Sequence, residues 1–371
     1  MIHTRRGSRT ALATLFAVAL LTASAVPAAA DSVRDKQWHL SSLDMARVQK
    51  ITKGAGVTVA LIDTGVDAKH PDLKAAVLPG HDVYPNATGD GREDFDGHGT
   101  EMAGIIAGRG HGGAKGVLGI APAAKILPVR APVNVFATSD FLAEAITFAV
   151  DHGADVINMS FGSTDDEPLH NAIRKAQAAD VVLVASVGNK KNLGSDYPGK
   201  YPEVLTVGAI DREGRVADFS VAGPQVDIVA PGAEMATTSV NDSGYCLCGG
   251  TSEAAAVVSG AAALVRAKYP EFSAAEVVRR LTATATDAGP KGRDDTFGYG
   301  RLDVLKALTA DLPEAPSKET STPPVEPDGQ AGPEPTSDSS PGLPVAGAIV
   351  AVILLVGVVI ALVVRRRRRS A

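Results

Sequence analysis

Two cysteines in 371 residues exclude a disulfide framework, so the fold must rest on a hydrophobic core, which a chain of this length can bury. Cys246 and Cys248 flank a single residue on an extended segment. They are expected to point apart, and the reading is a pair of small buried thiols or a strained, labile bridge, not a redox centre. A His-Glu-x-x-His run and paired Cys-x-x-Cys motifs are also missing, which removes the usual zinc arrangements. No internal repeat is visible. Positive charge is scarce away from the chain ends: the formal charge is −6, and setting aside the eight arginines of the two ends leaves 28 basic against 42 acidic residues, or −14. Such a surface repels nucleic acid and offers anionic lipid no polybasic patch.

The ends read as export and anchoring signals. Residues 1–30 run from Arg5, Arg6 and Arg9 through an apolar stretch, Ala11 to Leu21, to Val26-Pro27-Ala28-Ala29-Ala30. That order is a signal peptide with cleavage expected after Ala30. Gly7-Ser8-Arg9 follows the arginine pair where twin-arginine export wants apolar residues, which favours general secretion. Residues 344–364 hold an unbroken apolar run, Val345 to Val364, of the length a membrane-spanning helix needs. Arg365 to Arg369 follow at once and belong on the cytoplasmic side, so residues 365–371 are an internal tail and the rest of the exported chain lies outside. Leu343-Pro344-Val345-Ala346-Gly347 resembles a sortase signal, with Ala346 standing in the threonine position; a retained anchor is the preferred reading. Residues 311–343, rich in Pro, Glu, Ser and Thr, cannot bury enough apolar surface to fold and should form an extended stalk.

Between the ends, at 55–310, short apolar runs alternate with helical patterns, the mark of βα units and a doubly wound, mostly parallel α/β sheet. The expected strands are Val57 to Ile62, Ile126 to Val129, Val156 to Met159, Val181 to Val187, Val204 to Val207 and Val226 to Val229. The expected helices are Thr100 to Ala107, Ser139 to Asp151, Leu169 to Ala179, Ser252 to Lys268 and Ser273 to Ala283. In such sheets chemistry gathers beyond the carboxyl ends of the strands. Three motifs fall there: Asp63-Thr64-Gly65 at a strand end, Gly97-His98-Gly99-Thr100 opening a helix, and Gly249-Gly250-Thr251-Ser252 opening another. A serine hydroxyl becomes a nucleophile when an imidazole takes its proton, and the imidazole needs a buried carboxylate to fix its tautomer. Asp63, His98 and Ser252 supply those parts in the chain order Asp, His, Ser. At a helix start, the Ser252 amide also faces a developing oxyanion.

These motifs, with Gly250-Thr251-Ser252-Glu253-Ala254, resemble the subtilase family of serine peptidases over Trp38 to Leu305. The resemblance implies a subtilisin-like fold and peptide-bond hydrolysis through an acyl-enzyme. It implies that Asn189, in Ser186-Val187-Gly188-Asn189, completes the oxyanion hole. It implies that Asn158-Met159-Ser160-Phe161-Gly162 is the edge strand on which the substrate backbone pairs, with Ser160, Phe161 and Gly162 offering the backbone groups. A narrower similarity is to the mycosins, the membrane-anchored subtilases of actinobacterial type VII secretion, through the signal peptide, Gln37-Trp38-His39-Leu40, the stalk, the anchor and the basic tail. As in that group, residues 31–54 leave no room for a folding prodomain and are expected to stay attached. The partners implied are a protein or peptide substrate, the membrane and a secretion complex, for which a weakly active scaffold subunit is the alternative role.

Two positions depart from the family pattern: Glu253 follows the nucleophile where a large apolar residue is usual, and Ala256 replaces a proline. Alanine suits a helix. Glu253 brings charge to a site where negative charge develops, and is expected to slow turnover or select a basic or polar leaving side. Glu101 is expected to be a first-turn helix acid. No cofactor is expected; Asp90, Glu93, Asp94 and Asp96 invite calcium, and a solvated loop is the preferred reading.

Overall fold

The structure, a computed structural model, describes residues 33–111, 115–133, 139–192 and 197–313. All lie in the first of two compact units, Met1–Ala315 and Pro316–Ala371. The signal peptide, most of the stalk, the sorting-like signal, the apolar run and the arginine tail fall outside the described residues. Among the described residues no helix is long and apolar enough to cross a membrane.

Seven parallel strands form one sheet. They are β1 (Thr58–Asp63), β2 (His81–Asp82), β5 (Lys125–Arg130), β6 (Val156–Met159), β7 (Val182–Ser186), β8 (Leu205–Ile210) and β9 (Ile228–Pro231), in the order β2-β5-β1-β6-β7-β8-β9. The chain reaches β5 on one side of β1 and then crosses to β6 on the other. Loops therefore diverge around the carboxyl end of β1, opening the crevice in which α/β proteins bind ligands. Small antiparallel pairs are β3 (Arg109–His111) with β4 (Lys115–Leu118), and β10 (Met235–Thr238) with β11 (Tyr245–Cys248).

Helices cover both faces because the strands are apolar on both. Along β1, Val59 and Leu61 enter one core cluster and Ala60 and Ile62 the other, as a side-chain period of two requires. Short α1 (Trp38–Ser42) and α2 (Met45–Ile51) pack into the first cluster with α3 (His98–Ala107), α6 (Thr251–Lys268), α7 (Ala274–Ala283) and α8 (Val304–Thr309); α4 (Ser139–Asp151) and α5 (Glu167–Ala178) fill the second. Helix α6 is buried on nearly all sides, since Ala254 to Val258 and Ala261 to Val265 are alanine, valine and leucine. A helix apolar all round belongs inside.

The segment Val33 to Ile51 straps onto the domain. Arg34 Nε donates to the Gly116 carbonyl at 2.8 Å, Gln37 exchanges two bonds with the Leu118 backbone, and Trp38 Nε1 donates to the Ala233 and Glu234 carbonyls, both at 3.1 Å. His39 is wholly buried there, and among the described residues neither ring nitrogen has a hydrogen-bond partner. Burial lowers its pKa to about 3.

Two expectations need correction. The strand leading to Ser160 is β6, which lies between β1 and β7 and is no edge strand. Cys246 and Cys248 are joined in a disulfide and are half-buried. Residues two apart on a strand share a face, so they do not diverge.

Candidate active site

Each predicted residue sits at the carboxyl end of the sheet on a chain reversal. Asp63 ends β1, His98 opens α3, Asn189 lies three residues beyond β7, and Ser252 is in the first turn of α6. Asp63 and His98 come together because the start of α3 packs flat on the loop after β1. A Cβ at Gly99 would strike the Gly65 carbonyl, so only glycine permits that approach.

His98 Nδ1 lies 2.8 Å from Asp63 Oδ1, which also accepts the Thr64 amide at 2.8 Å. Asp63 Oδ2 is buried without a hydrogen-bond partner among the described residues. The carboxylate is 1% exposed, whereas the imidazole keeps 29% of its side chain open. The pair is thus sealed on the acid side and accessible on the base side. Burial alone would lower the His98 pKa, but the charge and hydrogen bond of Asp63, with Glu253 and Glu101 adding to them, lift it to about 10. Glu101, one turn along α3, is pushed up to about 7, chiefly by burial.

Asn189 holds the start of α6 by its oxygen. Its Oδ1 accepts the Thr251 amide at 3.2 Å and the Thr251 hydroxyl at 3.4 Å. The Nδ2 donor lies against Gly250, two residues before Ser252. Ser252 Oγ donates to the Ser160 carbonyl at 3.3 Å, and among the described residues no hydrogen bond joins it to His98. Ser160 and Phe161 are both 6% exposed, and Phe161 packs in the core beneath α4 and α5; Gly162 is half-buried.

Two positioning residues escaped the sequence. Asp94, read as a calcium ligand or loop acid, clamps the site: Oδ1 accepts from Thr64 Oγ1 and the Asp96 and Gly97 amides, and Oδ2 from the Thr100 amide and hydroxyl, at 2.7 to 3.1 Å. It ties the Asp63 loop to the start of α3. Asp90 turns instead to Arg92. Asn158, fully buried on β6, donates to Ser160 Oγ at 2.9 Å and accepts from Ser259 at 2.9 Å, while Ser160 Oγ donates to the Ser252 carbonyl at 3.1 Å. This closed polar chain fixes α6 against β6. A polar residue inside an apolar strand was the signal available for it.

Residues 54–300 match the subtilase family. Subtilisin DY of Bacillus licheniformis is 38% identical over 67% of this chain and 89% of its own length. Mycosin-3 of Mycobacterium tuberculosis is 36% identical over 88% of this chain and 83% of its own. Among solved structures, the MycP3 protease from the type VII (ESX-3) secretion system superposes with a TM-score of 0.65 at 35% identity, covering 74% of this chain and 88% of that one. The chain therefore belongs to the subtilase family, as a subtilisin-like serine endopeptidase related to the mycosins of type VII secretion.

Proposed function

We propose that this peptidase works at the outer face of a cell membrane, held there by its carboxyl-terminal apolar helix, and cleaves its substrates through an acyl-enzyme on Ser252 within type VII secretion. The observation that carries the catalytic part is the sealed Asp63–His98 bond of 2.8 Å, close enough to the first turn of α6, which bears Ser252, for Glu253 to act on the His98 charge. In this reading Ser252 Oγ leaves the Ser160 carbonyl, gives its proton to His98 and attacks the scissile carbonyl. Asp63 stabilises the imidazolium, and the Asn189 amide with the Ser252 N–H receives the oxyanion. His98 then protonates the leaving amine, and water repeats the sequence on the ester. The extended substrate lies along the Ser160 to Gly162 backbone, after the carboxyl end of β6.

Support for the secretion role is the similarity to Mycosin-3 and to the MycP3 protease from the type VII (ESX-3) secretion system. A fluorophosphonate probe should modify the folded wild type and fail on Ser252→Ala. An unmodified, folded wild type would remove the catalytic reading. Secretion in the native cell that survives Ser252→Ala and collapses on deletion would favour the scaffold role instead.

A further inference from the structure

The Glu253 side chain is turned back into the site. It belongs to the first turn of α6, next to the nucleophile, and the residue is only 4% exposed. A Cβ built on Gly250 would lie 2.9 Å from Glu253 Oε2 and 3.4 Å from Asn189 Nδ2. The carboxyl group and the oxyanion amide therefore converge over one glycine, which leaves room for both. The charged groups facing this region are Asp63 from the end of β1, His98 and Glu101 from α3, and Lys191 just beyond Asn189; Asp94 faces Glu101.

We propose that Glu253 is a built-in restraint on the nucleophile, and that the site turns over efficiently only when the Glu253 carboxyl is protonated and His98 is neutral. This rests on the triad reading above. An ionised Glu253 opposes catalysis twice: it adds negative charge where the oxyanion forms, and it favours the cationic imidazole, which cannot accept the Ser252 proton. Moving one proton from the imidazolium to the carboxylate removes both obstacles without changing net charge. The helix N-terminus favours the ionised acid, while burial raises its pKa. The pair consequently titrates as a unit.

The test is the second-order rate of fluorophosphonate modification of the full-length chain from pH 5 to 10, for wild type, Glu253→Gln and Glu253→Met. Gln keeps the shape of the neutral acid, and Met supplies the apolar side chain usual in the family. Both variants should react at least tenfold faster than wild type at pH 7, with the acid limb moved down by one pH unit or more. A rate and midpoint equal to wild type in folded variants, or slower reaction at an unchanged midpoint, would overturn the restraint alone. If neither wild type nor variants are modified while folded, the triad reading falls with it.

Discussion

Two histidines, His98 and His39, occupy opposite electrostatic situations in one domain. His98 is bonded to a buried carboxylate and attracted by two more acids, and its pKa rises to about 10. His39 has no hydrogen-bond partner at either nitrogen among the described residues, and burial drops it to about 3. The comparison separates desolvation from charge: burial pushes both rings toward neutrality, and carboxylates reverse the outcome at one of them. The histidine proposed to pass a proton is supplied with charge, whereas the one packed under the strap is not.

The largest effect should come from removing the partner that distinguishes the two. Asp63→Asn leaves the packing intact and should lower turnover by about 10⁴-fold, measured on any cleavable peptide, and should bring His98 down toward its ordinary range. The His39 region should be unmoved. Asn189→Ala takes away the proposed oxyanion donor and should cost about 10² to 10³ in turnover with little change in KM. Because the Asn189 oxygen also holds Thr251, a loss of thermal stability should accompany it.

The smallest effect lies at His39 and appears only in acid. In the unfolded chain this ring protonates near pH 6.5, whereas in the fold it stays neutral down to about 3. Its folded pKa is depressed, so stability is whole above about pH 7 and declines by about 1.4 kcal/mol per pH unit below 6.5. At pH 5 that is about 2 kcal/mol, which His39→Leu should restore in urea melts compared at pH 5 and 8. His98 acts in the opposite direction: its raised pKa contributes stability that is present below 6.5 and disappears as pH rises through about 10.

Much of this was legible in the chain. The strands β1, β5, β6 and β7 and the helices α3 to α7 follow the apolar periods to within a residue or two, and β6 and α4 match at both ends. Asp63 and His98 stand beside glycines, Gly65 and Gly99, that close backbone approach requires. What stayed hidden depended on partners distant in sequence. His39 looks like any polar residue of a short helix until α1 is seen buried. Asp94 sits among four acids, and nothing local distinguishes the one whose two oxygens gather five donors. The β10–β11 pair is short and only weakly apolar, so its register, and the shared face of Cys246 and Cys248, came only with the structure.

The comparison can be tested in one spectrum. In the full-length chain labelled with ¹⁵N-histidine, with resonances assigned through His39→Leu and His98→Asn, the ring shifts should be followed from pH 4 to 10. The account predicts that His98 stays cationic beyond pH 8 while His39 remains neutral at pH 4. Both rings titrating near 6.5 would contradict it.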